Sequence, residues 1–435
     1  MTPLDIGILS LLAMVLLVYA GLHVSIALAL VSFVGVALIR DSTVLAGRLL
    51  ALATGESISS YLFGVVPLFV LMGLVVAQAD IGKDAFDVAN LAFRRIKGGL
   101  GMATVGANAV FAAVTGISIA SAAVFARVAV PEMLRAGHKP RFAVGVVAGS
   151  SVLGMLIPPS LLLILYGILS EQSVGALFIA GILPGLVMSV AFCLAIYVLA
   201  TRFKGFTGVA RQSRDAEEGG GLEIVGKLTP LVVLVFLVLG GIYGGWFTPT
   251  EAGAIGALGA IVVGLAKRRL GMRSLWKVTI ETGHITASIC FLIIAATMYS
   301  RMLSMSGLPD VLAGWIVGSE FGLYGMIALY VVVIVAMGTI LDSSSIMLIV
   351  VPLVLPVAAD LGVNLIWFGI VTVIAVEIGL LTPPMGLSVF VIKGTLADQN
   401  IPLGDVFKGA APFVLIMLAV LALVIAVPGL SLWLL

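Results

Sequence analysis

Charge is scarce in this chain. Only 10% of its 435 residues are Asp, Glu, Lys or Arg, against about 25% in a typical soluble domain. Twenty-three Lys and Arg nearly balance 21 Asp and Glu, leaving a net charge of +2. That excludes the basic surface a nucleic acid requires. Cysteine is nearly absent. Cys193 and Cys290 both lie inside apolar runs, so there is no disulfide framework. His23, His138 and His284 are far apart, and no cluster has metal-ligand spacing. The sequence contains no GxxxxGK[ST] phosphate loop, no HExxH and no GxSxG elbow. It therefore offers no recognisable site for ATP hydrolysis, zinc proteolysis or serine hydrolysis. The N-terminus has no basic region ahead of its apolar run and carries Asp5. It is expected to be a first membrane segment, not a cleaved signal peptide.

What the chain has is apolar length. It is 61% hydrophobic, with a mean hydropathy of +1.26. Apolar stretches run over about 6–39, 61–79, 99–130, 142–169, 174–201, 228–245, 252–266, 278–299, 311–336, 338–358, 365–393 and 410–434. A membrane helix needs about 20 such residues, so the expectation is an all-α polytopic membrane protein of roughly a dozen embedded segments. The first stretch is too long for one span and should bend near Gly21. Segment 203–226 is the only long polar stretch, with Arg211, Arg214, Asp215, Glu217, Glu218 and Gly219–Gly221. It reads as a cytoplasmic linker between halves 1–202 and 227–435. The positive-inside rule puts loops 202–227 and 267–277 in the cytoplasm. Spans 228–245 and 252–266 then form a hairpin whose turn, Trp246 to Thr250, faces outside. Trp246, Trp315, Trp367 and Trp433 sit near the ends of apolar runs, as interface anchors do.

The halves repeat one another. Gly154-Met-Leu-Ile-Pro-Pro-Ser160 interrupts an apolar run in the first, and Gly379-Leu-Leu-Thr-Pro-Pro-Met-Gly386 does so in the second. Pro131 lies 27 residues before Pro158, and Pro352 lies 31 before Pro383. Thr115-Gly116-Ile-Ser118-Ile-Ala-Ser121 faces Gly338-Thr339-Ile-Leu-Asp342-Ser343. Leu177–Pro184 parallels Val406–Pro412, and Gly98–Met102 resembles Gly322–Met326. Five pairings in one order make a duplicated unit the better reading.

Paired prolines break a helix. Broken backbone cannot face lipid, because each free N–H or C=O costs several kcal/mol. It is tolerated where it lines a polar cavity, and two such breaks at the membrane midplane are the sign of a secondary transporter. A channel needs no such paired breaks, and an intramembrane enzyme would need a nucleophile–base pair or metal ligands.

Gly116-Ile-Ser-Ile-Ala-Ser121, Val130-Pro131-Glu132-Met133 and Leu153–Ser160 resemble the large membrane subunit of tripartite ATP-independent periplasmic (TRAP) transporters. So do Leu177–Gly185, Phe247-Thr-Pro-Thr-Glu-Ala252 and Gly379–Gly386. The resemblance covers nearly the whole chain. It implies an elevator-type importer of two inverted-topology repeats, each with a re-entrant helical hairpin and a proline-broken helix. The moving domain would contain 99–169 and 322–394. It implies import of small organic anions, usually carboxylates, coupled to Na⁺ with no other cofactor. The implied partners are a small membrane subunit, expected as a separate chain, and a periplasmic substrate-binding protein. The implied location is a bacterial or archaeal inner membrane. A stand-alone carboxylate carrier of related inverted-repeat type is the alternative.

Asp342 is the strongest single site residue. A carboxylate in an apolar segment costs about 2.5–3.5 kcal/mol on insertion scales, so it has a partner or a task. It is a candidate sodium ligand, and also a plausible N-cap for the helix that follows. Ser118 and Ser121 share a helix face, and with the carbonyls of Thr115 and Gly116 they offer oxygens to a hard cation. Gly338, Thr382 and Pro383 are the matching set in the second half. Ile157 stands where symmetry would place a partner for Thr382, so the two sites differ. Ser150, Ser160, Arg127 and Arg301 are candidates for the substrate. The arginines qualify because guanidinium grips carboxylate in a fork, but snorkelling for Arg127 and a helix-end charge for Arg301 are the favoured readings. Glu377 is a second intramembrane acid, either proton-linked or paired with Arg301 or His284. Glu251 reads as a first-turn acid at a helix start.

Overall fold

The computed structural model describes residues 1–208, 221–318 and 322–435. Most of the charged linker, including Arg211, Arg214, Asp215, Glu217 and Glu218, lies outside the described residues. Among those residues the regular structure is all helical. The chain opens with α1 (Pro3–Tyr19), α2 (Val24–Arg40) and α3 (Thr43–Ser59). Thr2 and Asp5 form a reciprocal capping box at the start of α1. The bend expected near Gly21 is there: that glycine has φ +93° between α1 and α2. Next come α4 (Val65–Gln78) and α5 (Ile81–Phe93), a pair bent by 64°.

The first repeat core follows. It consists of α6 (Gly99–Thr115), α7 (Ser118–Arg135), α8 (Pro140–Ser151), α9 (Leu153–Leu156), α10 (Leu161–Ser170) and the long α11 (Val174–Arg202). A short α12 (Lys204–Thr207) leads to the linker. Beyond it, α13 (Gly221–Val235), α14 (Gly241–Tyr243) and α15 (Pro249–Ala266) make the expected hairpin, with a turn at Trp246. Thr248 and Glu251 cap α15 reciprocally, so Glu251 is a helix-start acid.

Then come α16 (Met272–Ser306), α17 (Leu308–Gly318), α18 (Gly322–Gly338) and α19 (Ser343–Asp360). The chain ends with α20 (Leu365–Gly379), α21 (Leu387–Thr395), α22 (Leu403–Ala426) and α23 (Gly429–Leu432). The element order of α4–α11 recurs in α16–α22. In both, two helices in succession lead into a hairpin, then a helix broken at Pro-Pro, then a full span.

Seven described helices, or eight counting the α4–α5 pair, are long and apolar enough to span. That is fewer than the dozen apolar stretches, because α1, α2, α6, α18 and α20 are only 15–17 residues long. The last three are arms of hairpins and broken helices. Sequence hydropathy cannot tell such half-spans from spans.

The packing follows a pseudo-two-fold pattern. The return arm of hairpin one, α7, lies on α21, and that of hairpin two, α19, lies on α10. Likewise α11 lies on α20 and α22 on α8. The repeats are thus interlocked, with the two broken helices touching through α9 and α20. Around this body, α1–α4, α15 and α16 pack chiefly on one another. Trp246, Trp315 and Trp433 are exposed, as anchors would be. Trp367 is not an anchor. It is 4% exposed and donates its indole N–H to the Val424 carbonyl at 2.8 Å, fixing α20 on α22.

The α4–α5 bend is held by charge. Asp84 on α5 is buried. Arg269 grips both of its carboxylate oxygens at 2.9 and 3.1 Å, and Lys267 approaches to 2.6 Å. Arg269 also donates to the carbonyls of Ala79 and Asp80 at the bend. Lys227 reaches Asp87 at 3.0 Å from α13. Removing one partner of a buried ion pair strands the rest. Asp84→Ala should therefore cost about 3 kcal/mol, visible as a lower melting temperature of the purified chain. An unchanged melting curve would show that the clamp does not hold the bend.

Candidate functional site

Each repeat brings a hairpin tip against a helix break. In the first, α6 stops at Thr115 and Gly116 takes φ +64°. Ile117 is extended and α7 begins at Ser118. Facing it, α9 stops at Leu156, Ile157 is extended, Pro158–Pro159 is cis, and Ser160 starts α10. The Gly116 carbonyl accepts the Leu161 N–H at 3.1 Å, so the tip satisfies a donor freed by the break. In the second, α18 stops at Gly338 and α19 starts after Asp342, while α20 stops at Gly379 and α21 starts after Gly386. The Thr339 carbonyl accepts from the N–H groups of Met385 and Gly386 at 3.2 and 3.3 Å. The two tips thus use the same device.

Glycine is required where backbones meet. A Cβ on Gly116 would lie 2.5 Å from the Pro159 carbonyl oxygen, and one on Gly338 would lie 2.6 Å from Cα of Gly379.

Asp342 does cap α19. Its Oδ2 accepts from the N–H groups of Ser344 and Ser345 at 3.1 Å each, and its Oδ1 accepts from the Ser345 hydroxyl. A carboxylate has about four lone-pair positions, so capping leaves room for one more contact. Thr382 donates its hydroxyl to the Ile378 carbonyl at 2.7 Å, leaving its oxygen lone pairs available. Pro383 is exposed beside it. In the first repeat the break is buried instead. Ser160 is fully enclosed, donates to the Met155 carbonyl and accepts from Leu163 N at 3.3 Å.

Ser118 and Ser121 are both 0% exposed. Ser118 donates to Glu377 Oε1 at 3.2 Å, across 259 residues of chain. Glu377 therefore pairs neither with Arg301 nor with His284, as the sequence had suggested. Ser121 Oγ and Glu377 Oε2 have no hydrogen-bond partner.

The family model for the tripartite ATP-independent periplasmic transporter, DctM component, matches residues 11–430. This chain belongs to the DctM family. Among its relatives, the C4-dicarboxylate TRAP transporter large permease protein of Pseudomonas aeruginosa is 36% identical, over 88% of both chains. The sialic acid TRAP transporter large permease protein of Vibrio cholerae is 30% identical, over 84% of both. Among solved structures, the YdaH transporter of Alcanivorax borkumensis, of unusual topology, shares the fold. Its TM-score is 0.55 at 17% identity, covering 86% of this chain and 88% of that one. The relatives are membrane permeases, and the many apolar helices agree with a multi-pass membrane protein.

The fold distributes the remaining sequence-predicted site residues unevenly. Ser150 receives the Asn108 side-chain N–H at 2.6 Å, joining α8 to α6 inside the first repeat. Arg301, on α16, is ion-paired with Glu56 of α3, outside the two tip–break pairs. Arg127 is exposed on α7 and makes no ion pair or hydrogen bond among the described residues. Glu377 is the residue whose role sequence reasoning missed. Its acid in an apolar run was visible, but its serine partner in the other repeat was not.

Gly116→Ala should destabilise the chain by about 1–3 kcal/mol, through positive φ and contact with Pro159. Gly47→Ala meets open space within helix α3 and should be neutral or stabilising by up to about 1 kcal/mol. Thermal unfolding of both variants tests the tip geometry. Equal shifts of the same sign would refute it.

Proposed function

We propose that this chain is the translocating subunit of a sodium-coupled importer of small organic anions. The observation that carries the reading is the matched pair of hairpin tips seated on helix breaks. Half-helix N-termini there suit an anion, and released carbonyls with Asp342, Ser118, Ser121 and Thr382 suit a hard cation. The cation would sit with Thr115, Gly116, Ser118 and Ser121 at one tip. At the other it would sit with Gly338, Asp342, Thr382 and Pro383. The relatives named for C4-dicarboxylates and sialic acid both concern carboxylates, which favours that substrate class here.

The proposed moving body is 99–169 plus 322–394. Helices α11 and α22, which pack onto it, would travel with it. The helices α1–α4 and α13–α16 would stand still against the small membrane subunit, in the inner membrane. A periplasmic binding protein would deliver the anion. The Lys267–Asp84–Arg269 clamp would keep the α4–α5 corner rigid while the body moves as an elevator. A carrier working without partners is the competing reading.

The test is uptake of a labelled dicarboxylate into proteoliposomes containing the chain with its small subunit and binding protein. A sodium gradient should drive accumulation only when all three parts are present. Asp342→Asn should lower the rate at least about tenfold and raise the sodium needed, since it removes a charged oxygen ligand. Unchanged sodium dependence in that variant would remove Asp342 from the cation site. Accumulation by the chain alone would favour the partnerless carrier.

A further inference from the structure

We propose that Glu377 is the carboxylate ligand of the cation at the first hairpin tip, so that this site is assembled from both repeats. The inference rests on the sodium-coupled reading above. Glu377 lies on α20, two residues before the Gly338–Gly379 crossing, and is 1% exposed. One carboxylate oxygen accepts the Ser118 hydroxyl at 3.2 Å, and the other has no partner. No Lys, Arg or His among the described residues forms an ion pair with it.

An ionised carboxylate cannot stay unpaired in so dry a place. It must take up either a proton or a cation. Two further unpartnered buried hydroxyls, on α7 and on the α21 helix packed against it, favour the cation. Ser121 stands one turn beyond Ser118 on the same face of α7, is 0% exposed, and its hydroxyl is also without a partner. Ser388, on the α21 helix packed against α7, is buried and unpartnered as well. A proton on Glu377 would satisfy one oxygen and leave the others orphaned. A small hard cation draws on several oxygens at once.

This assignment supplies what the first tip lacks. Asp342 gives the second tip a carboxylate of its own, whereas the first hairpin carries none between Thr115 and Ser121. With Glu377 reaching across, each cation meets one negative charge. The bound ion would also join α7 to α20, and so hold the two repeats together when loaded.

The experiment is a sodium titration of the melting temperature of the purified full chain, with choline chloride keeping ionic strength constant. A ligand that binds only the folded chain raises its stability in proportion to RT ln(1 + [L]/Kd). In Glu377→Gln, the half-saturating sodium concentration should rise at least about tenfold. Ser121→Ala should raise it less. Glu377→Asp retains the charge and should fall between wild type and Glu377→Gln, a check that remains if the Gln variant does not fold. A Glu377→Gln or Glu377→Asp curve that overlays wild type overturns the inference. So does an unchanged sodium response accompanied by loss of pH dependence, which would assign a proton to the carboxyl. A wild-type chain whose melting ignores sodium would instead overturn the sodium-coupled reading itself.

Discussion

Free backbone groups in a membrane must find partners inside the protein, and this fold is organised around four places where the helix stops. Two are hairpin tips and two are proline breaks. Alone, each would expose N–H and C=O groups at a cost of several kcal/mol apiece. Seated together, they satisfy one another: the Gly116 carbonyl takes the Leu161 N–H, and the Thr339 carbonyl takes those of Met385 and Gly386. The tips can approach that closely because Gly116, Gly338 and Gly379 have no side chains to collide. The polar centre of the molecule is therefore a by-product of solving a desolvation problem.

The symmetry is used unequally. The first break is enclosed, with Ser160 tied to the backbone on either side of it. The second leaves Pro383, Pro384 and Met385 exposed. Thr382 has a hydroxyl where Ile157 has none. Asp342 lies in the second hairpin, and the buried Glu377 extends from the second broken helix towards Ser118 in the first hairpin. Both acids at the tips and breaks thus come from the second half, and Ser118, which meets Glu377, comes from the first. Duplication supplied two equivalent frames, and side-chain differences made the sites chemically distinct.

Much of this was legible in the sequence. Pro158-Pro159 and Pro383-Pro384 announced the breaks, and the order of motifs announced the repeat, because proline geometry acts locally. Gly21 marked the first bend for the same local reason. The Asp342 cap was visible from the serines that follow it. What stayed hidden depends on distant contacts. The amphipathic α5 helix and its clamp by Lys267 and Arg269 join residues more than 180 positions apart. Trp367 looked like an interface anchor because it begins an apolar run, yet α22 covers it and offers it the Val424 carbonyl. Arg301 read as a helix-end charge with substrate contact as the other choice, and its partner Glu56 on α3 was not visible. A charge in an apolar segment signals that a partner exists, but only the fold says which.

The central claim is that the tip–break body moves as a unit against the surrounding helices. Distance measurement between spin labels tests it most directly. In a chain with Cys193 and Cys290 replaced, one label at Val262 on α15 would report the static part and one at Val332 on α18 the moving part. The account predicts two distance populations whose ratio changes when sodium and substrate are added. It also predicts a single unchanged distance for labels at Val110 and Val332, which both ride on the body. A fixed Val262–Val332 distance under every condition, or a changing Val110–Val332 distance, would contradict it.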